Sequence, residues 1–381
     1  MRRHADLLFS AMIALTGTAC RDALGPYSPK SAAADTTAAI RITSSTGDDR
    51  QPVWSKDGTM LVYAGETFPG QPPGRGLLLA LPRHGGEARL LLPDVQGPAA
   101  GGPRWLIAPT FSPDGGRVAF IEMALVAEPA PPLGNALCPY PEPLLDSAVL
   151  RVRGLSETGP LTSTRSLAIR FIGRDPAQRD GGPGTFLQNA FPYQRIFATD
   201  GTVTVRPSWA PDGERIAVSD GLRVLVWRID VGPPVEVPGT RDGVSPAWSP
   251  DGQWIAYTRL ERGDSTTVNC DVRAGNLTAR HTRTGYTGSR RSVMVIRMDG
   301  TGARELNEGE DPAWSPDGGT VYFTRAGRIW RVPFAGGIAT EMAGTQFGSA
   351  PAISPDGLRL VYAKQNDGPD RHDLWSVPLP R

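Results

Sequence analysis

SPAWSPDGQWIAY, residues 245–257, is one of six versions of a single phrase, and that repetition decides the fold. The others are QPVWSKDGTMLVYA (51–64), APTFSPDGGRVAF (108–120), RPSWAPDGERIAV (206–218), DPAWSPDGGTVYF (311–323) and APAISPDGLRLVY (350–362). In Ser-Pro-Asp-Gly the proline ring presets φ for the first corner of a type I turn. Aspartate there bonds its own backbone, and glycine takes the left-handed position that closes a bulged hairpin. The strand before the turn ends at Trp54, Phe111, Trp209, Trp248, Trp314 or Ile353. The strand after it carries Leu61, Val118, Ile216, Ile255, Val321 or Leu360, each two residues before Tyr63, Phe120, Val218, Tyr257, Phe323 or Tyr362. That period of two marks strands with large residues on one face, suited to packing sheet on sheet. The six aspartates are read as turn formers, not ligands or acids, because the turn already employs them.

Spacing sets the repeating unit. Turn glycines fall at 58, 115, 213, 252, 318 and 357, giving gaps of 57, 98, 39, 66 and 39 residues. The shortest gaps match a four-stranded propeller blade with tight connections. Third and fourth strands are legible in SVMVIRMDGTGARELN (292–307) and GRIWRVPFAGGIATEM (327–342). The last unit stops at its third strand, DLWSVPLP (373–380), and a spare strand, AAIRIT (38–43), precedes the first phrase. The expectation is an all-β, six-bladed propeller whose N-terminal strand completes the last blade and leaves no open sheet edge. Seven blades stay open, because the gap of 98 holds two strand-like stretches, SAVLRVR (147–153) and SLAIRFIG (166–173), with no turn phrase between them.

The phrase resembles the repeat of the TolB-like, WD-repeat-like family of bacterial propellers, also found in the propeller domains of prolyl oligopeptidase-type proteins. The resemblance covers residues 38–381, with Lys56 standing for proline in the first copy. It is specific for fold and weak for function. TolB proper carries an α/β domain before its propeller, whereas residues 21–37 alone separate Cys20 from the first strand here. Peptidase relatives need a hydrolase domain with a Gly-x-Ser-x-Gly elbow, which the sequence lacks. The expectation is a propeller alone, and the family resemblance implies a non-catalytic envelope protein that binds another protein.

The N-terminus reads as an export signal over residues 1–19. Arg2 and Arg3 precede the apolar run LLFSAMIAL (7–15), too short for a permanent membrane helix. LTGTAC, ending at Cys20, resembles a bacterial lipoprotein signal in which the cysteine is acylated, although Gly17 stands where that family prefers leucine. Ordinary secretion after Ala19 is the competing reading. Residues 20–37, polar and small, read as a tether. Removing the signal takes away two arginines and one aspartate and leaves 38 basic and 38 acidic side chains. That balance argues against a nucleic-acid or anionic-membrane surface, so membrane contact is expected only through a lipid anchor, on a monomer in the periplasm or at the cell surface.

Individual function is expected in the insertions, near 121–147, 154–197 and 259–291. Connections from second to third strand emerge at one end of a propeller, so the first and last of these should rise from the same face. The segment 121–147 holds Glu122, Glu128, Glu142 and Asp146 with no basic residue, whereas 259–291 holds seven arginines against three acids. Each carries one of the cysteines that remain if Cys20 takes lipid. We expect the two segments to dock on one another with a Cys138–Cys270 disulfide; two independent loops with free thiols are the alternative. The region 154–197 is broken by Gly and Pro and is left unplaced.

Chemistry is sparse. No His-x-His, His-Glu-x-x-His or Cys-x-x-Cys spacing occurs, and NDGPDRHD (366–373) lacks the calcium-loop spacing, so neither metal nor cofactor is expected. No phosphate-cradling glycine loop or glycosidase acid pair stands out. The candidate binding residues are Arg280, His281, Arg283 and Tyr286 with Tyr140, against the plain alternative that these arginines are solvated or pair with acids nearby. Two other classes remain: a glycan or peptidoglycan binder using Tyr140 and Tyr286 for stacking, and a propeller lyase or hydrolase acting at the central funnel.

Overall fold

The computed structural model describes residues 38–45, 47–66, 76–96, 104–125, 144–159, 165–168, 191–192, 206–229, 231–261, 263–274, 277–287, 290–366 and 371–380. Six antiparallel sheets form a closed ring. Blade 1 is Asp49–Trp54, Met60–Gly65, Leu77–Pro82 and Arg89–Leu90, and blade 3 is Ser208–Trp209, Arg215–Ser219, Val224–Arg228 and Val235–Glu236. Blade 4 is Gly243–Trp248, Trp254–Glu261, Arg290–Arg297 and Arg304–Glu308, and blade 5 is Glu310–Trp314, Thr320–Arg325, Arg328–Pro333 and Thr340–Glu341. Blade 6 takes Gly348–Ile353, Arg359–Gln365 and His372–Pro378 from the end of the chain, and Ile40–Arg41 from its start. Ile40 pairs with Ser376 and Arg41 with Trp375, so the N-terminal strand does close the ring. First strands touch one another from blade to blade around the whole circle, which places them innermost.

The gap of 98 residues holds one blade. In blade 2, Arg104–Phe111, Arg117–Leu125 and Leu144–Gly154 are followed by Arg165–Ala168, which pairs antiparallel with the third strand. The two strand-like stretches that left seven blades open are therefore strands three and four of a single sheet. Phe191–Pro192, from the unplaced region, adds a short fifth strand against Leu144 and Leu145. The connection expected at 121–147 is shorter than read, because the ladder continues as far as Leu125, which pairs with Leu145.

The turn phrase behaves as its chemistry predicts. The six turn glycines sit at φ between 67° and 73°. Serine hydroxyls donate to the aspartates two residues on, as in Ser55–Asp57 at 2.6 Å and Ser354–Asp356 at 2.5 Å, and the same carboxylates accept backbone N–H groups. Turns stack around the ring: a β-carbon placed on Gly58 would lie 3.5 Å from Pro355 of the preceding blade, and one on Gly252 would lie 3.4 Å from Pro211. The large residues of the second strands, Tyr63, Phe120, Tyr257, Phe323 and Tyr362, are at most 1% exposed. Burial of that kind contributes roughly 1.5–3 kcal/mol per side chain.

Indoles of the phrase fasten alternate seams. Trp54 Nε1 donates to Ala352 O at 3.3 Å, Trp209 Nε1 to Thr110 O at 3.2 Å, and Trp314 Nε1 to Ala247 O at 3.0 Å. Each reaches from one innermost strand to its predecessor. Guanidinium groups cap several rings, with Arg117 4.9 Å from the Trp209 centroid and Arg215 5.1 Å from that of Trp248.

A proline stands two residues before the final aromatic or Ile353 in all six copies: Pro52, Pro109, Pro207, Pro246, Pro312 and Pro351. Lacking an N–H, it cannot contribute a ladder bond, and an edge strand tolerates that loss. In five blades the register slips at this point, between Arg50/Val53, Ile107/Thr110, Val244/Ala247, Glu310/Ala313 and Ser349/Ala352. The residue before each proline then takes a left-handed φ: Gln51, Ala108, Ser245, Asp311 and Ala350. The bulges bend all five innermost strands at one level of the ring.

Candidate functional site

The end of the ring opposite the turn phrases carries the second-to-third and fourth-to-first connections. Its largest described feature is a two-stranded ribbon, Asp264–Ala274 paired with Leu277–Thr287, inserted between the second and third strands of blade 4. The segment expected to be a loop is thus mostly strand. Eleven rungs correspond to a ribbon about 35 Å long.

Register divides the ribbon's positions between two faces. On one face Val268 lies opposite Arg283, Cys270 opposite His281, Val272 opposite Ala279 and Ala274 opposite Leu277, so its apolar positions gather toward the tip, while Asp264 opposite Thr287 and Thr266 opposite Gly285 make it polar at the root. The alternate rungs pair Ser265 with Tyr286, Thr267 with Thr284, Asn269 with Thr282 and Asp271 with Arg280, which makes the other polar. The predicted binding residues are therefore split. Arg280 and Tyr286 belong to the polar face, whereas His281 and Arg283 belong to the apolar one. Tyr140, Cys138 and Cys20 lie outside the described residues, so neither the disulfide nor the paired-tyrosine stacking surface can be assembled from described positions.

The charge contrast between the two insertions is smaller than the sequence suggests. Glu122, counted as a loop acid, is a buried strand residue whose carboxylate takes Arg151 Nε at 2.7 Å. Three of the seven insertion arginines are held at the root of blade 4. Arg259 pairs with Glu261 at 2.6 Å, Arg290 with Glu305, and Arg291 with Glu310. Arg259 and Glu261 neutralise each other along one strand, whereas Arg290 and Arg291 meet acids of other strands, outside the insertion, which linear counting cannot register.

Nearer the axis, the position preceding each proline is occupied by Gln51, Ala108, Arg206, Ser245, Asp311 and Ala350 in blade order. Gln51 Oε1 accepts the Ala108 N–H at 2.7 Å, Thr258 Oγ1 that of Asp311 at 3.0 Å, and Thr324 Oγ1 that of Ala350 at 3.2 Å. Arg206 of blade 3 reaches Asp311 of blade 5, N to O 3.9 Å, and the acid is 2% exposed. These six described positions thus bring together an arginine and an aspartate, two alanines, a serine and a glutamine. The alignment of the six phrases contains the signal for this ring, in the column just before proline.

A second polar cluster lies where the chain ends meet. Asp373 is held by Arg41 and Asn366, Asp48 by Arg50, and His372 Nδ1 lies 2.9 Å from Asp48 Oδ1. Asp373 and His372 come from the NDGPDRHD stretch, so its last acid is a strand residue closing the ring. Among the described residues no group of three His, Cys, Asp or Glu side chains is arranged to hold a metal ion, and no helix is long and apolar enough to cross a membrane.

No protein-family model and no curated protein matches the chain. Solved structures resemble it at low identity. A putative TolB from Agrobacterium tumefaciens aligns at 17% identity and TM-score 0.48, covering 90% of this chain and 97% of that one. TolB from Acinetobacter baumannii aligns at 14% and 0.47, covering 85% and 64%. An oligogalacturonate lyase in complex with manganese aligns at 12% and 0.47, covering 92% and 96%. These likenesses assign neither ligand nor activity.

Proposed function

We propose that the protein is a non-catalytic, exported cell-envelope propeller that binds a protein partner through the end bearing its inserted segments, with the ribbon 264–287 as the docking element. The amphipathic register of that ribbon is the observation that carries the reading. A lone two-stranded ribbon is marginally stable in water, and one with an apolar face gains stability only when that face is covered. Among the described residues no further strand pairs with the ribbon, so its outer backbone edges can accept an added strand. Cys20 is proposed as the lipid attachment, holding the ring near a membrane by residues 21–37. Cys270 lies at the middle of the apolar face, and we propose it as the disulfide partner of Cys138; non-reducing peptide mapping should recover the linked pair, and two free thiols would remove it from the reading.

The partner reading is tested by placing a photo-crosslinking phenylalanine analogue at Ala279, on the apolar face, and separately at Thr282, on the polar face, of the full chain in its native envelope. A single intermolecular protein adduct from position 279, weak or absent from 282, supports it. Adducts confined to the chain's own 121–147 peptide would mean that the face is covered internally, and the ribbon would lose its assigned role.

A further inference from the structure

The closing seam holds two carboxylic acids that water does not reach. Asp49 and Asp373 are each 0% exposed, and Oδ1 of each has no hydrogen-bond partner among the described residues. They differ in counter-charge. Asp373 has Arg41, whereas the arginines beside Asp49 in the seam have other recorded partners: Arg50 pairs with Asp48, and Arg371 donates to the Ser45 carbonyl at 2.7 Å. Hydrocarbon lies on the other side. A β-carbon on Gly65 would sit 3.1 Å from Asp49 Oδ1, 2.7 Å from Leu79 Cδ1 and 3.3 Å from Tyr63 Cε2. The Tyr63 phenol is itself pushed up, by burial first and then by Asp49 and Asp373.

Proton counting points the same way. Ser45 Oγ lies 2.9 Å from Asp49 Oδ2 and 3.2 Å from Gly47 O. A hydroxyl has one proton, so the ionised carboxylate and the Gly47 carbonyl compete for it, whereas a protonated Asp49 can donate to Ser45 and free that proton for Gly47. Thr43 Oγ1 meanwhile accepts the Leu374 N–H at 2.9 Å, tying the same segment to blade 6. Burial outweighs the Thr43 and Ser45 hydrogen bonds, and with the charges of Asp373 and Asp48 it raises the Asp49 carboxyl to about 7.

We infer that Asp49 is a proton-operated latch on ring closure: protonated, it completes the chain through Ser45 to Gly47 and holds Ile42, Thr43 and Ser45 against blade 6; ionised, it sets an uncompensated charge beside Asp48 and Asp373 and loosens those residues. The folded form binds this proton more tightly than an opened one. Its stabilising contribution is therefore full below the unfolded value near 3.8 and is lost as pH rises to about 7.

Amide hydrogen exchange on the full chain tests this, read at Ile42 and Leu374, whose N–H groups bridge the seam. After correction for intrinsic exchange rates, the opening equilibrium should rise about thirtyfold between pH 5.5 and 8, and Asp49→Asn should abolish the rise. A flat wild-type response, or an unchanged pH dependence in the variant, overturns the latch. Carboxyl-carbon NMR titration of the wild type decides the matter if the variant folds poorly. One aspartate titrating near neutrality supports the latch, and every aspartate titrating below about 5 overturns it.

Discussion

Arg206 and Asp311 occupy the same place in two copies of the phrase, yet their side chains meet 3.9 Å apart from blades that are not neighbours. The ion pair bypasses blade 4, whose own residue at that position, Ser245, is small. Nearly full burial of the acid makes the pairing matter, because a buried carboxylate that loses a counter-charge is strongly disfavoured. Arg206→Ala and Asp311→Ala should each lower stability, and a double-mutant cycle by urea unfolding should return a coupling of about 1–3 kcal/mol. Strict additivity would show that the two groups do not sense each other.

The indoles offer a paired comparison. Trp314 Nε1 has a carbonyl partner in blade 4, whereas Trp248 Nε1 is buried with no partner among the described residues. Trp314→Phe should therefore cost about 1–2 kcal/mol more than Trp248→Phe, the ring volumes removed being equal. Equal losses in chemical denaturation would place the stabilisation in ring packing alone.

Two glycines should respond differently to alanine. At Gly309, φ 145°, a β-carbon would fall 2.4 Å from Phe323 Cδ2 and 2.7 Å from Thr324 O, and neither the packed ring nor the backbone can yield cheaply. At Gly357, φ 70°, nothing lies within 4 Å, so only the left-handed backbone penalty applies. Thermal unfolding should show Gly357→Ala losing about 1–2 kcal/mol and Gly309→Ala clearly more.

Acid should loosen the turn phrases in order of their carboxylates. The Ser354 hydroxyl, the Leu358 N–H and Arg83 hold Asp356 down at about 2 despite some desolvation, and Ser55 and Thr59 lower Asp57 in the same sense. Groups depressed in the fold contribute stability above their unfolded value, and that stability is lost as pH falls through the folded one. Asp356→Asn should therefore flatten the acid limb of a stability–pH curve between about pH 4 and 2, while leaving the neutral limb to Asp49. A curve parallel to wild type through that window would deny Asp356 its share.

Most of the fold could be read because the repeat is local: turn, flanking strands and large residues all fall within fourteen positions, and the closing strand announced itself as a surplus at one end matched by a deficit at the other. What escaped reading is non-local. Asp49 and Asp373 meet only because the ring closes. Glu122, Arg290 and Arg291 looked like loop charges until the ladders carried them beside partners on other strands. The proline column was available in the six aligned phrases, but its effect, a bulge in five blades including the one that carries Asp311, depends on ring geometry. The ribbon's two faces follow from register, which composition alone does not fix.

The pairing of Ile40 and Arg41 with Ser376 and Trp375 also dictates an order of events. Blades 1 to 5 each draw all their ladder strands from one continuous stretch of chain and can pair as soon as that stretch is available. Blade 6 cannot, because its outer strand precedes blade 1 in the chain and its other three follow blade 5. Loop-closure entropy and the longest sequence separation in the molecule fall on one small ladder. Until it forms, the ring is a crescent with an exposed strand edge at one tip, the state most open to mispairing with another chain. Speed of joining, rather than strength of any one blade, then sets how long each newly made molecule remains at risk.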